Sequence, residues 1–269
     1  PNFYDDIVTA GLTSGLQVVL DAGSSTSYTS GEKWLDLSGN GYDFMFGGGL
    51  TDTSSEAFSY VAPDDPTFTG TAGNLSSSEY MSFDGDDFFR YDATNEAWME
   101  TLHKTSAKLS YLGWIYVVAS GGDDGFFGDA GGITAATGVG YYTSNTALQP
   151  KFYVNNGTSS ALAATGDTAL GAGVWNMVGV VIDEATGSGG GFLYLNGAYN
   201  QVSSSNTFDA SYSSPSTDSA AEVFEIGADG AGHYAMKDGG RQAGFMIWDD
   251  VLTKANFDTL WNAQKDRFG

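Results

Sequence analysis

Cysteine is absent from this chain, and with it go thiol chemistry and disulfide stapling. Stability must come from packing or from bound metal. Only 10 Lys and Arg stand against 33 Asp and Glu, and the formal charge of −23 sets up a field that repels phosphate backbones and anionic lipid headgroups. Nucleic acid and membrane surfaces are therefore poor partners, and neither nucleic-acid binding nor membrane insertion is expected. The two histidines, His103 and His233, are far apart and have no Glu or His at ligand spacing, which argues against a zinc hydrolase. No apolar run approaches the ~20 residues of a membrane span. The opening PNFYDDIVTAGL lacks the basic and apolar regions of a signal peptide, so the expectation is a chain made in the cytoplasm or already processed.

Catalytic patterns are missing as well. No G-x-S-x-G elbow occurs, and the glycine runs Gly121-Gly122 and Gly189-Gly190-Gly191 do not open a helix after a strand as a phosphate cradle requires. A glycoside hydrolase of a β-sandwich needs two carboxylates on one strand face, as in E-x-D-x-x-E. The nearest acidic pairs, Asp183-Glu184 and Glu222 with Glu225, do not reproduce that spacing. The expectation is a protein that is not an enzyme.

What is present is material for a β core. Hydrophobic residues make up 41% of the 269, aromatics 14%, and 38 glycines against 5 prolines indicate many turns. Short apolar runs bounded by Gly, Asn, Asp and Ser recur at Leu16 to Leu20, Tyr80 to Phe83, Leu109 to Val118, Gly138 to Tyr142, Lys151 to Val154, Met177 to Ile182, Phe192 to Leu195, Val223 to Ile226 and Ala243 to Trp248. Nine strands with short turns predict an all-β, two-sheet antiparallel jelly-roll sandwich, one domain over 1–269. Thr253 caps one short C-terminal helix whose Phe257, Leu260, Trp261 and Gln264 recur at helical spacing. Residues 47–78, with Pro63-Asp64-Asp65-Pro66, and 203–221 read as loop excursions. Trp34, Trp114 and Trp175 are expected in the core.

The motifs, in order, are Leu20-Asp21-Ala22-Gly23 with Trp34-Leu35-Asp36-Leu37-Ser38-Gly39-Asn40-Gly41, then Phe83-Asp84-Gly85-Asp86-Asp87-Phe88. Trp175-Asn176-Met177-Val178 with Tyr194-Leu195-Asn196-Gly197 follows, then Glu225-Ile226-Gly227, and last Ile247 to Thr253 with Arg267-Phe268-Gly269. This ordered set resembles the laminin G-like branch of the concanavalin A-like superfamily, of the kind found in structural proteins of phages and other viruses. The resemblance implies a virion-surface component, a capsid decoration or a knob or fibre module, docked on capsid or other virion proteins. A homo-oligomer is expected, with contacts to host-surface glycans. A carbohydrate-binding lectin module, extracellular or virion-borne, is the second reading and a glycoside hydrolase the third.

The acidic excess reads first as a solvated coat, the usual role of surface acids, with calcium sites or a face for a basic protein as the alternatives. For structural calcium, a hard ion that takes carboxylate and carbonyl oxygens, the candidates are Asp84, Asp86 and Asp87 in one turn and Asp249 and Asp250 in another, followed by Asp123-Asp124 and Asp21. For glycans, which stack on aromatic rings, the candidates are Tyr141, Tyr142, Tyr153, Asn155 and Tyr199, with Asn156, Asn200 and Gln201 beside them.

Overall fold

Alternating side chains give each long strand one face toward a shared core, and the strands pair into two antiparallel sheets of eight. The computed structural model describes residues 1–47, 65–91, 94–118, 122–132, 136–144, 147–189, 191–200 and 214–269. Most of the excursion over 47–78 and of that over 203–221, and Gln201, lie outside the described residues.

In chain order the elements are α1 (Phe3–Thr9), β1 (Leu16–Asp21), β2 (Lys33–Trp34), β3 (Phe44–Phe46), β4 (Thr67–Thr69), β5 (Tyr80–Ser82), β6 (Phe89–Arg90), β7 (Lys108–Tyr116), β8 (Asp124–Gly128) and β9 (Thr137–Thr143). They continue with β10 (Pro150–Asn156), β11 (Ser160–Thr165), β12 (Trp175–Asp183), β13 (Phe192–Leu195), β14 (Ala198–Tyr199), β15 (Glu225–Ile226), β16 (Arg241–Trp248) and α2 (Lys254–Phe268). The first sheet runs β14-β13-β12-β7-β16-β5-β4, with β1 also paired to β16; the second runs β11-β10-β9-β8-β15-β6-β3-β2. The all-β sandwich with a C-terminal helix expected from the sequence is the architecture observed. All nine expected strands are present, and β2, β3, β4, β6, β8, β11 and β14 add to them.

Between the sheets lies an aromatic core in which Tyr111, Phe127, Tyr141, Phe224 and Phe245 contact one another ring to ring. Burying each such ring stabilises the fold by about 1.5–3 kcal/mol. β7, β12 and β16 are apolar on both faces because the first sheet has a second cover. On its outer face α1 and α2 pack Phe3, Ile7, Phe257, Leu260 and Phe268 against Val19, Leu112, Trp114, Met177, Met246 and Trp248.

Helix α2 starts at Thr253, which exchanges capping hydrogen bonds with Asn256, and it buries Gln264 so that its Oε1 accepts from the Trp114 indole at 2.9 Å. The N-terminal helix was missed by sequence reasoning. Its signal was the capping pair Asn2 and Asp5 beside a segment too short for helical periodicity to show. Of the three tryptophans expected in the core, Trp34 and Trp114 are fully buried, Trp114 under α2 and not between the sheets. Trp175 is only half-buried, at the end of the helix-covered face.

A buried ion pair joins the two helices to the sheet. Arg267 in α2 donates from Nη1 and Nη2 to the two oxygens of Asp21 at 2.9 and 2.8 Å, and Asp21 also accepts from the backbone N–H of Phe3 and Gly23. Asp21, considered above as a calcium ligand, is thus fully used by the protein itself. Losing one partner of such a pair leaves a buried charge without compensation. We expect Asp21→Asn to lower unfolding free energy by about 3–5 kcal/mol in urea titration; a loss below about 1 kcal/mol would show that the pair does not hold the helices.

Candidate functional site

Strand alternation decides first where the glycan candidates point. On β9 and β10, Val139, Tyr141, Phe152 and Val154 face the inter-sheet core, so Tyr142, Tyr153 and Asn155 face outward from the second sheet. Tyr141 is therefore corrected from a sugar-facing ring to a core residue: it is fully buried and its hydroxyl donates to the Gly179 carbonyl at 3.0 Å. Tyr142 and Tyr153 are also buried, because residues 227–237 fold over them. Gly125 makes this close cover possible: its N–H donates to the Tyr234 carbonyl, and a Cβ there would meet that oxygen at 2.6 Å. Asn155 is fully buried too, donating to Gly132 O and bonded to Ser160 Oγ. Asn200 is buried and bonded to the Thr168 backbone. Tyr199 is exposed, but on the edge strand β14 of the other sheet. The structure does not bring the five together, and four of them lack the access that stacking on a sugar requires.

The covering segment carries a polar network that sequence reasoning did not find. Tyr153 donates its hydroxyl to Asp229 Oδ2 at 2.5 Å, and His233 Nδ1 lies 2.8 Å from Asp229 Oδ1. The Asp229 hydrogen bond holds the His233 imidazolium above its usual range, while burial raises the Asp229 carboxyl. Tyr234 stacks on Tyr142 at 4.8 Å and sits at φ 54, a left-handed backbone uncommon for an aromatic residue. Asp124 accepts from the Lys237 N–H, which makes it a fastener of this segment and not a cation ligand. Burial raises Asp124 and Asp129 and pushes Glu225 up to about 8. Glu225 accepts from Gly232 N–H and is almost wholly enclosed. Among the described residues no Ser or Thr hydroxyl bonds to His233.

An open aromatic surface exists elsewhere. Register across four strands of the first sheet aligns Trp175 with Tyr116, Tyr116 with Arg241 and Arg241 with Ser82. Met81 enters the core, so Tyr80 and Ser82 share the outer face with that row. Tyr80 and Tyr116 lie 5.9 and 5.7 Å from Trp175, and the Arg241 guanidinium stacks 4.5 Å from Tyr80 and 4.2 Å from Tyr116. The helix cover ends here: Phe268, the last residue of α2, touches Trp175 at 5.2 Å and the row beyond is half-buried. The Tyr80 and Tyr116 hydroxyls and the Trp175 indole N–H have no hydrogen-bond partner among the described residues. Buried Tyr and Trp tips are ordinarily paired, so unpaired tips beside open rings leave donors for a ligand.

The two acidic turns lie at opposite ends of β16. Ser82, two residues before Asp84, pairs with Arg241 at the start of the strand, and Asp249 follows Trp248 at its end. Eight residues of strand separate them by roughly 25 Å, so the five aspartates cannot share one ion. Asp249 and Asp250 are partly exposed, and the Asp250 carboxylate accepts from Val251 N–H and lies 3.8 Å from Lys108 Nζ. Asp84, Asp86 and Asp87 do converge, with carboxylate oxygens within 4.8 Å of one another. Asp87 Oδ2 accepts from Asp84 N–H, while its Oδ1 is buried without a hydrogen-bond partner.

No family model matches the chain, and no curated protein does. Solved structures do. Trypanosoma rangeli sialidase in complex with sialic acid superposes with a TM-score of 0.59 at 12% identity, over 95% of this chain and 34% of that one. The binding domain of botulinum neurotoxin DC in complex with SialylT gives 0.56 at 10% identity, over 94% of this chain and 52% of that one. The receptor-binding domain of the botulinum neurotoxin C/D mosaic serotype gives 0.56 at 11%. This chain spans about a third of the sialidase and half of the toxin chain. At such identities the likeness establishes a shared β-sandwich fold.

Glu225 carries a consequence for pH. A carboxyl raised in the folded state keeps its proton after the unfolded chain has released it, so stability falls as pH rises from about 4.5 to about 8. The melting temperature is expected to drop over that range and the drop to shrink in Glu225→Gln; an unchanged slope in the variant would assign the dependence to other groups.

Proposed function

We propose that this chain is a non-catalytic carbohydrate-binding module whose ligand lies on the outer face of the first sheet, across Trp175, Tyr116 and Tyr80. The observation that carries the reading is the uncovered aromatic row with three unpaired polar tips at the end of α2. A pyranose ring presents an apolar face for stacking and a rim of hydroxyls, and rings with a polar edge meet both requirements. The shared fold with sialidases and toxin binding domains, some solved with sialic acid or a sialyl ligand, supports carbohydrate as the ligand class. Binding is favoured over hydrolysis because Asp124, Asp129, Glu225 and Asp229, the carboxylates gathered under the segment that covers the second sheet, are each at most 2% exposed and so closed to the paired action on a substrate that glycoside hydrolysis uses. A virion-surface setting rests on the sequence resemblance alone.

The turn Asp84–Asp87 fits a calcium ion, supported by three converging carboxylates and the buried, unpartnered Asp87 Oδ1. The ion would fix the turn that follows β5, the strand carrying Tyr80. A cation that binds only the folded state stabilises it by about 2.7 kcal/mol at a hundred times Kd. Calcium is expected to raise the melting temperature of the chain and to leave Asp87→Asn unchanged; no shift in the parent chain up to millimolar calcium would refute the site.

The glycan reading is tested on an array followed by calorimetry with the best ligand. Trp175→Ala removes the ring that touches both Tyr80 and Tyr116 from a half-buried position and is expected to weaken binding at least about fivefold, as for an aromatic hot spot. Binding that survives both Trp175→Ala and Tyr80→Ala would move the site off this face.

A further inference from the structure

The guanidinium at the centre of the aromatic row points to the kind of sugar. The chain has three arginines. Arg267 is clamped on Asp21, and Arg90 is buried beside Glu225, whose carboxyl its charge favours. Arg241 has no hydrogen-bond or ion-pair partner among the described residues. In a chain where acids outnumber bases 33 to 10, an arginine left without a carboxylate is a position reserved from the protein's own charge.

We propose that Arg241 makes this surface selective for saccharides bearing a carboxylate, an inference that rests on the glycan reading above. Stacking between Tyr80 and Tyr116 fixes the guanidinium plane, and its N–H edge is left for a planar, bidentate acceptor. Two strand spacings, about 10 Å, separate Arg241 from Trp175 in the same row. A ligand of one or two sugar units therefore stacks a ring on Trp175 and Tyr116 while its carboxylate meets Arg241. The remaining net charge does not forbid this approach. At physiological salt, charges more than about 8 Å away are largely screened, whereas contact with the guanidinium is direct.

Charge-assisted hydrogen bonds of this kind correspond to about tenfold or more in affinity. The test measures the whole chain by calorimetry at 0.15 M salt against three pairs: oligogalacturonate and its methyl ester, sialyllactose and lactose, and a sulfated heparin tetrasaccharide and its desulfated form. The expected result is at least tenfold preference for the carboxylate over its neutral partner in the first two pairs, and binding of both heparin forms through their uronate carboxylates, lost in Arg241→Gln and partly retained in Arg241→Lys. Melting temperatures confirm that each variant is folded. Equal affinity for acid and neutral sugars, with Trp175→Ala still weakening both, would overturn the carboxylate assignment and leave the glycan reading standing. Preference for the sulfated probe alone would overturn it in favour of sulfate. No binding of any probe, together with an empty glycan array, would sink the glycan reading and this inference with it.

Discussion

Asp21 and Arg267 are separated by nearly the whole chain, yet every oxygen and both terminal nitrogens of that pair are used inside the protein. Burying two charges is costly, and such pairs contribute little net stability compared with an apolar substitute of equal volume. Their geometry is what they provide. Because the carboxylate also accepts from Phe3 N–H, and the guanidinium lies 4.6 and 5.1 Å from the Phe3 and Phe268 rings, one point on β1 fixes both α1 and the last turn of α2. The position of Phe268 then decides where the cover over the first sheet stops. Trp114, stacked 4.0 Å from Phe268, falls inside the cover, and Trp175, with Tyr116 and Arg241 beyond it, falls outside.

The two sheets therefore differ in how their outer faces are closed. The first is covered by helices whose apolar side chains leave one row bare. The second is covered over β8, β9 and β10 by its own segment 227–237, held through buried carboxylates at Asp124 and Asp229 and through the Tyr153 hydroxyl. Not all of the acidic composition is a coat: a share of it is structural, its carboxyls raised by burial and hydrogen-bonded under the covering segment. That share weakens as pH rises, whereas the exposed acids repel one another throughout.

The fold was legible because long strands carry their pattern locally. Leu109 to Val118 and Met177 to Ile182 are apolar in nearly every position, which identifies a strand and, with hindsight of the helices, one covered on both faces. Two-residue strands such as β2 and β6 carry no period, and α1 is only about two turns long, so neither announces itself. The site was not legible for a different reason. Tyr141 and Tyr142 are neighbours in sequence and lie on opposite faces, and Asp84 and Asp249 look equivalent as turns but end up at opposite ends of β16. Facing and register are set by partners far away in the chain, and the row Trp175–Tyr116–Arg241–Ser82 exists only because four strands from distant segments align.

That alignment also explains why the open aromatic row and the convergent acidic turn share one end of the molecule. β5 pairs with the first residues of β16, placing Tyr80 beside Arg241 on the outer face and carrying the chain, two residues after Ser82, into Asp84. Beyond Gln242, β16 exchanges β5 for β1, whose Leu16–Asp21 span leads to the Asp21 latch and the helix cover. The change of partner along a single strand thus separates a closed half of the sheet, where apolar contacts hold the helices, from an open half, where rings, a guanidinium and carboxylates remain within reach of a ligand. A shift of one residue in the β5 pairing would send Tyr80 into the core and Met81 outward, so the register that fixes the hydrophobic core fixes the proposed binding face as well.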